Sequence, residues 1–246
     1  IQLPIGAEEK FRGLVDLVKM KAIFFKEEDL GCSIVEQEIP QEMLEDTQKY
    51  REELISAVAD YDDMLAEKYL NSETPTQSEI QAAIRKAVIK NNFIPVLCGS
   101  AFKNKGIQPL LDAIVDYLPS PIDRGEIQGH NAKDFEKLEK RQPLSDEIFS
   151  GIAFKIASDP FVGSLTFVRI YSGELKVGAT IFNPLKKKRE RVQKILQMHA
   201  NKQNQIPFIE AGDIGAAVGF KDIKTGDTLC DEKHPIVLEA MNFPEP

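Results

Sequence analysis

Three groups of residues in this chain have types and spacings that suit chemistry. The first is the turn Cys98-Gly99-Ser100-Ala101-Phe102-Lys103-Asn104-Lys105-Gly106, set between the apolar run Phe93-Ile94-Pro95-Val96-Leu97 and a helical pattern from Ile107 to Leu118. A strand, a tight turn of small residues and a helix together present backbone N–H groups to a ligand. The second is an acidic set, Glu42, Glu45, Asp46, Glu52 and Glu53, at roughly helical spacing. The third is the basic run Lys186-Lys187-Lys188-Arg189-Glu190-Arg191, placed where a hairpin tip between two strands is expected, a position from which cations can meet phosphates. Each also has a plainer reading. Ser100 can simply cap a turn or helix. The acidic set can be a solvated outer face, and the basic run an ordinary lysine-rich hairpin.

Other chemistries are poorly supported. No G-x-x-x-x-G-K-S/T phosphate loop occurs in the 246 residues. Gly212-Asp213-Ile214-Gly215-Ala216-Ala217-Val218-Gly219 is glycine-rich, but strand and turn surround it, and a phosphate-binding glycine fingerprint needs a helix after it. Cys32, Cys98 and Cys230 lie far apart with no C-x-x-C spacing, which argues against a zinc site or disulfide framework and for small buried residues in a reducing compartment. His130, His199 and His234 are scattered, and His199 has no neighbouring nucleophile or acid to work with.

The elements that must hold these residues divide into two regimes. Residues 1–35 read as strands, with a turn at Asp29-Leu30-Gly31, and Ser33 to Ile39 alternates as a half-exposed strand. A helix is expected from about Gln41, with Met43, Thr47, Tyr50, Leu54, Ala57/Val58, Tyr61 and Leu65 on its apolar face, a break near Asp60-Tyr61-Asp62-Asp63 and a restart through Tyr69. Thr76-Gln77-Ser78-Glu79 has the form of a capping box, and Ile80, Ala83, Ile84, Ala87 and Val88 form the inner face of the helix that follows. A buried strand at 93–98 and a helix with the stripe Ile107, Leu110, Leu111, Ile114 and Leu118 complete this regime.

Residues 122–146 are polar and aperiodic and read as a linker. From residue 147 the rhythm changes to short strands separated by turns such as Asp159-Pro160, Ser172-Gly173, Ala211-Gly212-Asp213 and Thr225-Gly226-Asp227, the pattern of a closed or nearly closed β-barrel. Charge follows the same division. Residues 1–90 hold 19 acidic and 11 basic side chains and residues 91–246 hold 20 of each, so the formal charge of −8 belongs to the first block. No apolar run reaches the ~18 residues of a membrane span. The first residues, Ile1-Gln2-Leu3-Pro4-Ile5-Gly6, have neither a basic region nor an apolar core and are not a signal peptide. They read as the inside of a strand, and with the abrupt Asn242-Phe243-Pro244-Glu245-Pro246 they suggest an internal piece of a longer protein.

Five segments in order resemble bacterial elongation factor G, the ribosomal translocase. They are Gly99 to Gly106 with Leu111-Asp112-Ala113-Ile114-Val115-Asp116-Tyr117-Leu118-Pro119-Ser120-Pro121; Phe154-Lys155-Ile156-Ala157-Ser158-Asp159-Pro160-Phe161-Val162-Gly163; Tyr171-Ser172-Gly173; Gln197-Met198-His199-Ala200-Asn201-Lys202; and Thr225-Gly226-Asp227-Thr228-Leu229-Cys230. The resemblance implies an α+β insert of the GTPase domain over 1–90, the last strand and helix of an α/β GTPase domain over 91–121, the linker over 122–146 and the all-β second-domain barrel of translation factors over 147–246.

It further implies that Ser100, Ala101 and Phe102 belong to a guanine-binding motif. Glu42, Glu45, Asp46, Glu52 and Glu53 would meet the ribosomal stalk protein of the large subunit, and Lys186, Lys187, Lys188, Arg189 and Arg191 would meet small-subunit rRNA. GTP or GDP and Mg2+ would be cofactors of the full-length protein, with none expected on this piece and no GTP hydrolysis by it, because the phosphate loop, switches and N-K-x-D motif are not in the sequence. A cytoplasmic monomer is expected, with some tendency to associate through an exposed apolar edge. A ribosome-protection or recycling relative is the alternative within the family, and an unrelated α/β plus barrel adaptor the alternative outside it. Gln197 to Lys202 and Thr225 to Cys230 favour the elongation factor.

Overall fold

The computed structural model describes residues 1–26, 28, 31, 33–159, 163–200 and 202–238. The Asp29-Leu30 half of the first expected turn, Cys32, Pro160, Phe161, Val162, Asn201 and the residues from 239 onward lie outside this set. The chain divides into two compact units, Ile1–Pro119 and Ser120–Pro246.

The first unit opens with an antiparallel meander of β1 (Gln2–Ile5), β2 (Gly13–Asp16), β3 (Lys21–Phe25) and β4 (Ile34–Gln37), paired in sequence order. A 3₁₀ turn at Gln41–Met43 leads into α1 (Leu44–Ala59), followed by α2 (Asp63–Leu70), α3 (Gln77–Ile89) and α4 (Ile107–Tyr117). The break between α1 and α2 falls where the acidic cluster predicts it, and Asp62 caps α2 by accepting the Leu65 N–H at 3.0 Å. At α3 the capping box forms in full: the Glu79 amide donates to Thr76 Oγ1, and Glu79 Oε2 accepts from the Thr76 amide at 2.8 Å. All five expected inner residues of α3 are buried, and Ile80, Ala83, Ile84 and Val88 pack with Leu54, Ile55, Val58, Leu65 and Tyr117 into the main core of this unit. Each fully buried Ile or Leu there contributes about 1.5–3 kcal/mol relative to exposure.

Three expectations for this unit need correction. On α1 the inner face uses Ile55 and Ala59 in place of Tyr50 and Ala57, which are exposed. The segment 93–97 has no regular secondary structure and forms no ladder. Its links are the Ile1 amine to the Val96 carbonyl (3.2 Å) and, next to it, the Cys98 amide to Gln2 Oε1 (3.1 Å). Phe93 and Leu97 pack against the core while Ile94 (83% exposed) and Val96 (68%) face outward. An apolar run becomes a buried strand only where strands lie beside it, and among the described residues none does.

The third correction concerns α4. Its residues Leu110, Leu111, Ile114 and Leu118, expected inside, are exposed together with Val115, and the helix packs through Ala113 and Tyr117. The helix is apolar on more than one side, so its period does not choose a face; small Ala113 permits close approach, and Tyr117 fills the space. Burial pushes the Tyr117 phenol up to about 12. The Arg85 guanidinium closes the C-terminal end of α4 on the carbonyls of Asp116 (2.9 Å) and Leu118 (3.1 Å), where a cation complements the helix dipole.

The second unit begins with a short helical turn and a hairpin, β5 (Ile127–Asn131) and β6 (Leu138–Arg141). The segment read as a linker is therefore structured in part. These strands are polar, with His130, Lys140 and their neighbours near solvent, and so carry no apolar rhythm. The strands β7 (Ser150–Asp159), β8 (Gly163–Ser172), β9 (Glu174–Lys176), β10 (Thr180–Asn183), β11 (Lys188–Arg191), β12 (Lys194–His199), β13 (Lys202–Ile206), β14 (Phe208–Glu210), β15 (Ile214–Val218), β16 (Thr228–Cys230) and β17 (Ile236–Leu238) complete it. Eight of these form one sheet in the order β11-β10-β16-β7-β8-β15-β12-β13, β14 pairs with β9, and β17 adds to the β5-β6 hairpin.

Inward side chains from several strands, including Ala153, Val168, Ile170, Leu175, Ile181, Ile195, Ile209, Ala217 and Leu229, meet in a single core. That convergence is what a nearly closed barrel requires. Gly212-to-Gly219 is strand and turn as expected. Gly212 sits at φ +95° against Pro121, where a Cβ would come within 2.7 Å of its ring. No helix of the described residues is long and apolar enough to cross a membrane.

Candidate functional site

The turn at 100–105 is built by its own backbone. The Ser100 amide donates to the Lys105 carbonyl at 2.8 Å, and the Lys105 and Lys103 amides return to the Ser100 carbonyl at 3.1 Å each. Glycine is required at both shoulders. A Cβ on Gly99 would stand 2.9 Å from the Lys105 carbonyl oxygen, and Gly106, at φ +85° and capping α4, would place one 2.6 Å from the Cys98 carbonyl oxygen. Lys105 is buried and donates to the Phe11 carbonyl at 3.3 Å, tying the turn to the meander.

With the ends fixed in this way, Ala101 and Phe102 form an exposed crest, and Phe102 is fully exposed. Among the described residues their two adjacent amides and the Ser100 hydroxyl have no hydrogen-bond partner. Gly106 occupies the cap position of α4, so Ser100 does not serve as the helix cap. Two exposed amides and a hydroxyl on one turn can donate to the acceptor oxygen of a ligand. The Cys98 thiol below the turn is partly buried, and burial raises its pKa; burial likewise pushes Cys230 up to about 11, so both behave as inert packing groups.

Four of the five acidic residues fall together on α1. Glu45 and Glu52, seven residues apart, share one line of α1, and Asp46 and Glu53 share the next; all four are exposed, on the side away from buried Leu54 and Val58. None of the four has an ion-pair partner among the described residues. Glu42 lies just before the helix and faces Arg12 at 3.8 Å.

The basic run occupies the β10–β11 hairpin, with residues 184–187 at its tip. Most of its charge is already matched. Lys186 Nζ reaches Asp227 Oδ2 and the Asp222 carbonyl, both at 2.6 Å. Lys188 pairs with Asp222 at 2.6 Å, and Arg189 holds Glu232 through two bonds of 2.7 and 2.8 Å. These partners raise the pKa of Lys188 and Arg189 and lower that of Asp222. Lys187 and Arg191 remain exposed and without an ion pair among the described residues. The neutralising carboxylates lie more than thirty residues away in sequence, so inspection of the run alone does not reveal them.

The chain thus follows a unit that holds an exposed donor turn ahead of its last helix with a unit built as a β-barrel. Residues 32–120 match the family described as Elongation factor Tu GTP binding domain, and residues 163–230 match Elongation factor Tu domain 2. Two stretches of the chain are therefore similar to the GTP-binding domain and the second domain of that factor family. The crystal structure of a protein from Thermus thermophilus is similar to the whole of this chain, at 27% identity and a TM-score of 0.77. The match covers 100% of this chain and 34% of that one, so the chain spans about a third of that protein's length.

Proposed function

We propose that this polypeptide is the stretch of an elongation factor of the G type that docks on the ribosome, the whole factor using GTP to move tRNA and mRNA. The observation that carries the reading is the crest of the turn: unpaired amides at Ala101 and Phe102 and an unpaired hydroxyl at Ser100, inside a stretch that matches a GTP-binding domain. In the whole factor these residues would hold the guanine, while a phosphate loop and Mg2+ would supply the electrostatics of phosphoryl transfer. An adenine would bring an amine to the same donors and leave both sides unsatisfied.

The exposed acidic rows of α1 are the proposed contact for the basic stalk protein of the large subunit, and the hairpin cations the proposed contact for small-subunit rRNA. Ribosome protection and recycling are the alternative readings within the family. Individual exposed charge pairs contribute only about 0.2–1 kcal/mol, so the stalk contact is weak, fast and salt-sensitive. Titrating the isotope-labelled chain with purified stalk protein tests this. Amide shifts should concentrate on α1, and the double reversal Glu45→Lys and Glu52→Lys should weaken binding about tenfold. Unchanged affinity would remove α1 from the interface.

A further inference from the structure

The outer face of β8 carries a feature that the docking surfaces above leave unused. Phe167, Arg169 and Tyr171 alternate along β8 and so project from one face. Arg169 is the register partner of Ile152 on β7 and of Ile214 on β15, which places apolar side chains on both sides of it. A register shift between Ala153 and Lys155 brings Phe154 to the same groove, which is lined by Ile152, Phe154, Arg169, Tyr171 and Ile214 and encloses about 300 Å³. That volume is at the lower bound of small-ligand sites, ~300–1,000 Å³.

The guanidinium lies 5.4 Å from the Tyr171 ring centre, and its Nε–H is buried without a partner. Among the described residues Arg169 has no carboxylate or carbonyl partner, and no acidic side chain lines the groove. A charged donor set held against apolar walls loses hydration that only an anionic or strongly accepting ligand restores. The stacking character continues along the sheet: Phe154 and Phe167 are tilted rings 6.3 Å apart, and Lys155 Nζ lies 5.5 Å from the Phe167 centre. Aromatic rings and cations side by side on one antiparallel sheet face are the components with which sheet-face modules hold unpaired bases, the rings by stacking and the cations at the phosphates.

We propose that this groove binds one unstacked nucleotide of single-stranded RNA, its base between Phe154, Tyr171 and Ile214 and its phosphate on Arg169. The proposal extends the RNA-docking reading to a second surface, separate from the β10–β11 hairpin, and rests on that reading. The groove lacks base-edge donors other than Arg169, so it takes any base.

The test is fluorescence anisotropy of the full chain with labelled octamers of uridylate and adenylate at low salt. Both should bind with similar affinity. Arg169→Gln and Tyr171→Leu, each checked for an unchanged thermal melt, should weaken both about tenfold or more, while an abasic octamer with the same phosphates should bind as weakly as these variants do to RNA. Absence of wild-type binding, equal binding of the abasic strand, or a groove that takes an acidic peptide in preference to RNA overturns the proposal. If Lys187→Ala with Arg191→Ala abolishes RNA binding while Arg169→Gln leaves it intact, the groove proposal fails and the hairpin-docking reading stands.

Discussion

Glu79 performs three tasks at the start of α3. Its carboxylate accepts from the Thr76 amide, its own amide donates the return bond of the capping box to Thr76 Oγ1, and its other carboxylate oxygen holds Lys68 at 2.7 Å. The Lys68 bond first, then those from Thr76, keeps its carboxyl at about 2 against an ordinary 4.5. A carboxylate whose folded pKa is depressed contributes stability that is present above its ordinary value and is lost as pH falls toward the folded one. Glu79→Gln should therefore lower the melting temperature at pH 7, and the gap to the parent should close between about pH 4.5 and 2 as the parent's carboxylate protonates. Thr76→Ala, which removes the partner oxygen, should cost about 1 kcal/mol by chemical denaturation. That box was legible in the sequence because all its parts lie within four residues. The crest at Ala101 and Phe102 was legible for a similar reason, since its geometry is set locally by two glycines.

At the scale of elements, legibility falls off wherever a partner lies far along the chain. The capped helix α3 and the barrel strands announce themselves by period and turn residues. The inward face of α4 does not, because Leu111 and Val115 are as apolar as Ala113 and Tyr117 and only packing decides among them. The β5–β6 hairpin was missed for the opposite reason: its strands are too polar to show any rhythm. The basic hairpin was seen, but its charge was overcounted, because Asp222, Asp227 and Glu232 come from other turns of the barrel. This gives a direct expectation. Glu232→Gln releases Arg189 from its bidentate partner, so binding of a duplex RNA should tighten, and the slope of log affinity against log salt should steepen by about 1. An unchanged slope would mean that Arg189 stays out of any RNA contact. The Phe167-Arg169-Tyr171 alternation was present in the sequence as well, but a strand that alternates in this way looks like ordinary packing until its register places apolar neighbours around an arginine.

For the molecule as a whole, the division of labour matters more than either unit alone. The turn at 99–106 can offer donors to a base, but the 246 residues contain no phosphate loop to hold the charge that develops in phosphoryl transfer. Incubated with ribosomes and GTP, this polypeptide should release phosphate no faster than ribosomes alone. Stimulated turnover would overturn that assignment of roles. The acidic excess is confined to residues 1–90, so binding of the stalk protein, if it uses the proposed contact on α1, should fall as salt rises, as the double reversal on α1 would also show.

The greasy outer side of α4, lying in the same unit as the outward-facing Ile94 and Val96, has a consequence for handling the protein in solution. At low ionic strength the −8 charge holds copies apart. Adding salt weakens that repulsion and leaves the attraction between oily surfaces intact. Light scattering should then report single particles in dilute buffer and growing clusters as sodium chloride rises, the reverse of what salt does to assemblies held by opposite charges. Aspartate in place of Val115, the most exposed aliphatic of that helix at 78%, should keep the particles single throughout.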